Sequence, residues 1–414
     1  MVKVITNNSI PTLLLILFPI SLLIGTAVTE ILIVIILIFF LANLIIKKEW
    51  YIFNNKFFIS LLFLWIYLII NYLASIGNEN AFFSFRNISY IKFIFFILSI
   101  IYFLKKNKII YYYWSIILFL VITDIYFEFI FGHNLLGIKS NDPTRIGSFL
   151  GEEKKIGHFI LGFSFICLGF FLEKLKNKIK KIYIIILLIF FLIIFASFIT
   201  GERSNFLRTI FCASIFFFSL NKISKNKKIL IIIFISFFFY LFLNYSQKIQ
   251  VRYIGQIFNE IKNKGFVQTF KETQHAAHFN TALEIFKKNI FFGIGNKQFR
   301  VECGKEEYFD KELLRSNARC STHPHQIYLE FLSEHGLVGT TIILAIIFFS
   351  IFKNIKYFYK QKNYIHLGTI VFTISIFLPL IPSGSFFTSY SASIFWMNFA
   401  VMNSFSIGKK ILIK

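Results

Sequence analysis

The chain has 414 residues, 57% of them hydrophobic and 59 of them Phe, with a formal net charge of +24 and a mean hydropathy of +0.69. A soluble globular domain of ordinary composition is excluded. So is a nucleic-acid binder, which would need a soluble basic module interleaved with stacking aromatics.

Apolar runs near the length that crosses a bilayer, about 17 to 25 residues, lie at 11–27, 29–46, 57–74, 88–104, 109–131, 156–173, 182–199, 206–220, 229–244, 337–353, 366–382 and 390–408. The predicted fold is therefore all-α: a polytopic integral membrane protein of about twelve transmembrane helices. The first run follows the nearly uncharged MVKVITNNSI with no small-residue cleavage site behind it, and reads as a retained span. Three units follow: an N-terminal bundle of about nine spans over 1–244, a loop with amphipathic helices over 245–336, and about three C-terminal spans over 337–414.

Lysine sets the predicted orientation. Connections around 47–56, 105–108, 174–181, 222–228 and 353–362, and the tail at 409–414, are short and dense in Lys, which places them inside. The long segment 245–325 mixes Glu260, Glu272, Glu284, Glu302, Glu306, Glu307 and Asp310 among its bases and is expected to face away from the cytoplasm.

In that topology all eight arginines, Arg86, Arg145, Arg203, Arg208, Arg252, Arg300, Arg315 and Arg319, fall on the outer side or at outer ends of spans. A guanidinium presents a planar fork that grips phosphate or carboxylate in two places and keeps its proton. An outer-leaflet phosphate or pyrophosphate is the simplest ligand needing this. Arg203, in the short link TGERSN, is pinned at the membrane surface, with Arg145 and Arg86 at equivalent heights. For Arg208, Arg252, Arg315 and Arg319, snorkelling to headgroups is an equal reading. Asp124 and Glu128 share a helix face, with Lys92 as a candidate partner.

The stretch STHPHQIYLEFLSEHGLVGT, 321–340, carries the most chemistry. Pro324 suits a first helical position, which would put His325 in the first turn of an amphipathic interfacial helix. Gln326, Glu330, Ser333 and Glu334 would form its polar stripe. His325 shares its side with Leu329 and Leu332 and is expected to point into the bundle. The helix dipole would keep its ring neutral, able to accept a proton. Gly336 suits a left-handed stop and Gly339 a close helix approach. Cys303 and Cys320 can bridge in an oxidising compartment or remain two thiols. Gly293-Ile-Gly295 reads as weak evidence for more than a turn, and His278 and Arg300 flank that unit without a derivable role.

Together these residues resemble the O-antigen ligase and O-antigen polymerase superfamily. His325-Gln326, nine residues and then Gly336-Leu-Val-Gly339 is similar to the pattern His-[Asn/Ser/Gln]-x9-Gly-x-x-Gly, with Gln where Asn is commoner. ALEIFKKNIFFGIGNKQF resembles the preceding family segment, and TGERSN the short outer loop bearing an essential arginine. The resemblance implies an inverting, metal-independent glycosyltransferase without a cofactor in the bacterial inner membrane, its active site facing the periplasm, so that 245–336 becomes one large periplasmic loop. The donor would be a glycan on undecaprenyl pyrophosphate. The acceptor would be the lipid A core for a ligase, the favoured reading, or a carrier-linked repeat for a polymerase. His325 and Arg203 are the catalytic candidates. Arg145, Arg86, Arg300, Gln326 and His323 are candidates for holding pyrophosphate or glycan, and Cys303, Cys320, Gly336 and Gly339 are structural. A lipid-linked sugar transporter is the reading from another class; it would place ionisable groups near the midplane between repeats, and the sequence offers neither.

Overall fold

A computed structural model describes residues 9–75, 87–104, 107–175, 182–220, 223–255, 258–311 and 314–411. Among these residues all regular structure is helical. In hydrocarbon a helix pairs its own backbone N–H and C=O groups without help from solvent, and the Ile-, Leu- and Phe-rich runs follow that constraint. The principal helices are α1 (Ser9–Ile24), α2 (Thr26–Lys47), α3 (Lys56–Ala74), α4 (Ile91–Leu104), α5 (Ile109–Phe131), α6 (Ile156–Leu175), α7 (Ile182–Ile199), α8 (Arg203–Phe218), α9 (Lys225–Tyr245), α10 (Gln274–Lys288), α11 (Ile327–Gln361), α12 (Tyr364–Ile376) and α13 (Ser389–Ile411).

A helix lies on each of the twelve apolar stretches. By length and composition, seven helices among the described residues are long and apolar enough to cross a membrane: α2, α3, Asn87–Leu104, α5, α6, α9 and α11. The expectation of about twelve spans is met at these seven, with α1, the Leu187–Ile199 part of α7 and α12 as shorter apolar helices. The chain is thus an all-helical membrane protein.

Burial distinguishes the inside of the bundle from its rim. In α6, 83% of the apolar window is buried against α5, α8 and α12, whereas in α9 only 6% is. Side-chain caps fix several starts: Asn55 accepts from Phe58 N at 2.8 Å, and Asn363 from His366 N at 3.1 Å.

Two boundaries differ from the sequence reading. The stretch 366–382 leaves the helix at Ile376, because Pro379 and Pro382 cannot donate to the helical ladder, and the chain at 377–388 turns back over the start of α11. At the other end of α11, the helix begins at Ile327 and not at Pro324.

The pairing expected for Lys92 is also corrected. Lys92 reaches Glu30 at 2.5 Å. Asp124 instead accepts from Leu135 N at 2.7 Å and from Ser148 Oγ, and Glu128 from Ser148 N at 2.6 Å. The two carboxylates cap the loop that follows α5.

Candidate functional site at the head of helix α11

The scaffold is the kink in α11. Gly336 has φ 61° and ψ −167° inside the helix, and the broken turn pairs with the chain after α10. Ile294 N donates to Ser333 O at 3.0 Å and Gly295 N to Glu334 O at 2.9 Å; Leu337 N and Val338 N donate to Ile290 O and Phe291 O at 2.7 and 3.0 Å. A Cβ at Gly336 would collide with the Phe291 backbone, and one at Gly339 with the Tyr67 hydroxyl. From α3, Tyr67 donates to His335 O at 3.0 Å and Asn71 to Glu334 O at 3.2 Å. Gly293 and Gly295 belong to this pairing, which accounts for the Gly-x-Gly as a structural turn.

The polar stripe does not face water. Glu330, Ser333 and Glu334 are buried. The Glu334 carboxylate accepts from Lys297 N and Phe299 N at 2.7 and 3.1 Å. Glu330 accepts from Phe386 N at 3.0 Å and from Ser385 Oγ. Buried carboxylates are tolerated when donors surround them, and here they tie α11 to two flanking loops.

Gln326 is the N-cap of α11, its side-chain oxygen accepting from Leu329 N at 2.8 Å. His325 therefore lies before the helix and not in its first turn, with φ 60°. Its carbonyl accepts from Ser383 N at 2.8 Å, and its Nε2 lies 3.0 Å from Ser321 Oγ. The neighbouring His323 is held on both nitrogens, Nδ1 2.9 Å from Thr322 Oγ1 and Nε2 3.2 Å from Ser383 O.

Helix α10 contributes two more imidazoles, His275 and His278, which share a face at i, i+3. Ring centroids lie 4.1 Å apart for His323 and His325, 5.1 Å for His278 and His325, and 5.5 Å for His275 and His325. Burial, reinforced by the other three rings, pushes His325 down to about 3. Burial first, with neighbouring cations, takes His323 to about 4. His275 and His278 are also lowered, chiefly by burial. The cluster is neutral at pH 7, and the cause is desolvation, not the helix dipole. Among the described residues no three His, Cys, Asp or Glu side chains form a set able to hold a metal ion.

The arginines gather beside the histidines. Gly201, with φ 71°, packs onto Thr144 and ends the link before α8, so Arg203 opens that helix. Arg252, on the turn Val251–Gly255, donates from Nε to Gly201 O at 2.9 Å, and Arg203 Nη1 donates to Arg252 O at 3.4 Å. Arg145 Nη2 donates to Lys154 O at 2.9 Å. Burial, then the charges of Arg203 and Arg145, hold Arg252 below the usual guanidinium range, with the Asp142 carboxylate acting in the opposite direction. Among the described residues neither Arg145 nor Arg203 has an ion-pair partner. The Glu202 carboxylate between them is occupied by Gly157 N and Asn205 Nδ2 at 2.7 and 2.6 Å. A cleft of about 150 Å³ opens beside Arg145, with Lys139, Lys248, Glu128 and Asp142 also on its wall. The charge of Arg203 is felt at His275, after burial and His278.

The remaining arginines separate. Arg300 Nη2 lies 3.4 Å from Thr322 O, next to His323. Arg319 does not snorkel: it is buried, and clamps Cys303 O and Gly304 O at 2.9 and 3.0 Å. Arg208 is likewise inside the bundle, with Nε on Ser375 O at 3.1 Å. Arg315 is exposed, and Arg86 lies outside the described residues. Cys303 and Cys320 are bonded, with Cα atoms 5.2 Å apart. The sequence reading missed His275 and Ser383, named His278 without a role, and left Arg252 between phosphate binding and snorkelling. The signal for His275 was its i, i+3 spacing from His278 on an amphipathic helix; for Ser383 there was none.

The family model described as O-antigen ligase matches residues 188–344. That span runs from within α7 past the kink in α11, and it includes Arg203, Arg252 and all four clustered histidines. Among curated proteins no match was found.

Proposed function

The chain is a member of the O-antigen ligase superfamily through residues 188–344, with an O-antigen ligase or polymerase type of function in general, and from that premise we propose a specific transfer. The glycan moves from undecaprenyl pyrophosphate to a sugar hydroxyl of the lipid A core, at the periplasmic face of the bacterial inner membrane. The observation that carries this reading is the juxtaposition of the Arg145, Arg203 and Arg252 patch with four neutral imidazoles.

The chemistry follows from the two halves. As the anomeric C–O bond breaks, both electrons go to the leaving pyrophosphate, and charge grows on its oxygens. Fixed guanidiniums aimed at those oxygens lower the barrier because they need not reorganise; Arg203 has this role, with Arg145 and Arg252 beside it. A bound diphosphate would offset the repulsion among the three guanidiniums. On the other side the acceptor hydroxyl is a poor nucleophile, and a neutral His325 accepts a hydrogen bond from it and orients the oxygen. Attack from the face opposite the leaving group inverts the anomeric centre. Arg300, beside His323, is placed to hold glycan. The Lys-dense connections put the opposite end of the bundle in the cytoplasm, so 245–336 is the periplasmic loop.

A polymerase uses the same pieces on a carrier-linked acceptor. A strain lacking this chain tests the choice: for a ligase, carrier-linked polymer accumulates and the lipid A core stays bare. A single repeat on the core would assign a polymerase instead.

A further inference from the structure

The segment that pairs with the broken turn of α11 has an unusual surface for a loop in water. From Asn289 to Asn296 it reads NIFFGIGN, without a charge. Phe291 and Phe292 are 66% and 57% exposed, and Ile290 beside them is exposed as well. The bonds from Leu337 N and Val338 N to Ile290 O and Phe291 O join these side chains to two exposed apolar ones on α11. A continuous apolar patch of this kind marks a contact surface.

Two helices give its depth. The apolar run of α11 ends at Phe352, just before Lys353, and from there back to Leu337 the helix rises about 22 Å at about 1.5 Å per residue. Helix α3 starts at Lys56, and Asn71, whose Nδ2 lies 3.4 Å from Phe292 O, stands about 22 Å along it. Both distances are shorter than the hydrocarbon core of about 30 Å, and any tilt shortens them further. Phe291 and Phe292 are therefore level with the inside of the bilayer and not with the water above it. We propose that Ile290, Phe291 and Phe292 form a re-entrant tip whose side chains lie among phospholipid acyl chains. The loop 245–336 thus dips back into the bilayer ahead of α11.

The backbone meets the condition that hydrocarbon sets. Non-helical backbone at that depth is tolerated only where protein satisfies it, and the carbonyls of Ile290, Phe291 and Phe292 accept from Leu337 N, Val338 N and Asn71 Nδ2. Gly293 N donates to Asn289 O at 3.0 Å. At φ 67°, Gly293 lies so close to the Glu334 backbone that no Cβ fits, so the chain is pressed against α11 while its large side chains stay outside. Charge resumes at Lys288, paired with Glu307 at 2.8 Å, which sets a polar boundary between α10 and the tip. The last turn of α10 is thereby moored to lipid, on the helix that carries His275 and His278.

The test uses the full chain in nanodiscs of phosphatidylethanolamine and phosphatidylglycerol, one copy per disc. An environment-sensitive fluorescent maleimide is attached to Phe291→Cys or Phe292→Cys; Cys167 and Cys212 are buried. Phe349→Cys, exposed in the middle of α11, is the probe in lipid, and Lys311→Cys, exposed on the loop, the probe in water. Lipids bearing a nitroxide on the acyl chain should quench the 291 and 292 probes to within about twofold of the 349 probe, and iodide in solution should quench only the 311 probe. Quenching of the 291 and 292 probes by iodide as at 311 would overturn the proposal. Shielding from both quenchers would mean that protein and not lipid covers the tip, and would overturn it too. If a variant melts below the wild type, hydroxyl-radical oxidation of the unaltered chain in the same discs decides. Oxidation of Phe291 and Phe292 well below that of Phe309 supports the proposal, and equal or greater oxidation overturns it.

Discussion

His325 holds a left-handed backbone, φ 60°, that costs a residue with a Cβ about 1 kcal/mol. The carbonyl bond from Ser383 N and the cap by Gln326 hold it there. Pro324 pointed to a helix start because proline fits a first turn, yet Gln326 captured Leu329 N and won the position. No local pattern reveals that competition, since Ser383 arrives from 58 residues downstream. The neutral ring was foreseen, but its cause is burial. Linkage follows from that cause. Both His323 and His325 are depressed, to about 4 and about 3, below the unfolded value near 6.5. Between about pH 6.5 and about pH 3 the unfolded chain binds more protons, so stability is present above that window and declines as pH falls through it. Melting temperature should drop over this range, and a His323→Gln, His325→Gln double variant should show a shallower drop.

At the scale of elements, hydropathy gave the seven helices among the described residues that are long and apolar enough to cross a membrane, because each is a long apolar run. It missed the end of α12 because the run continues apolar through Pro379 and Pro382. The burial of the polar stripe of α11 was not legible for a related reason: amphipathicity names two faces but not which neighbour covers the polar one. Here the loops at 296–299 and 385–386 cover it with backbone donors. Gly336 was legible, and its geometry makes a sharp prediction. An Ala there meets positive φ and the Phe291 backbone, so Gly336→Ala should cost about 2 kcal/mol or more, read as a lowered melting temperature. The Cys303–Cys320 bond closes a loop with a separation of 17 residues. Cys303→Ser should cost about 3 kcal/mol, and adding reductant should lower the wild-type melting point while leaving the variant's unchanged.

Across the whole molecule, sorting of Arg from Lys along the sequence drew attention to Arg145, Arg203 and Arg252, which meet in one patch. It failed for Arg208 and Arg319, whose guanidiniums serve backbone carbonyls inside the protein, because a cation's place along the chain does not say which way its side chain turns. The packing of α10 against α11 is a long-range fact that composition cannot carry. The most direct measurement of the account is release of undecaprenyl pyrophosphate from purified carrier-linked glycan in detergent, comparing wild type with Arg203→Ala and His325→Ala. Turnover by the wild type and a loss of about 10²-fold or more in each variant are the predicted result; variants that are correctly folded and still turn over at the wild-type rate would contradict it.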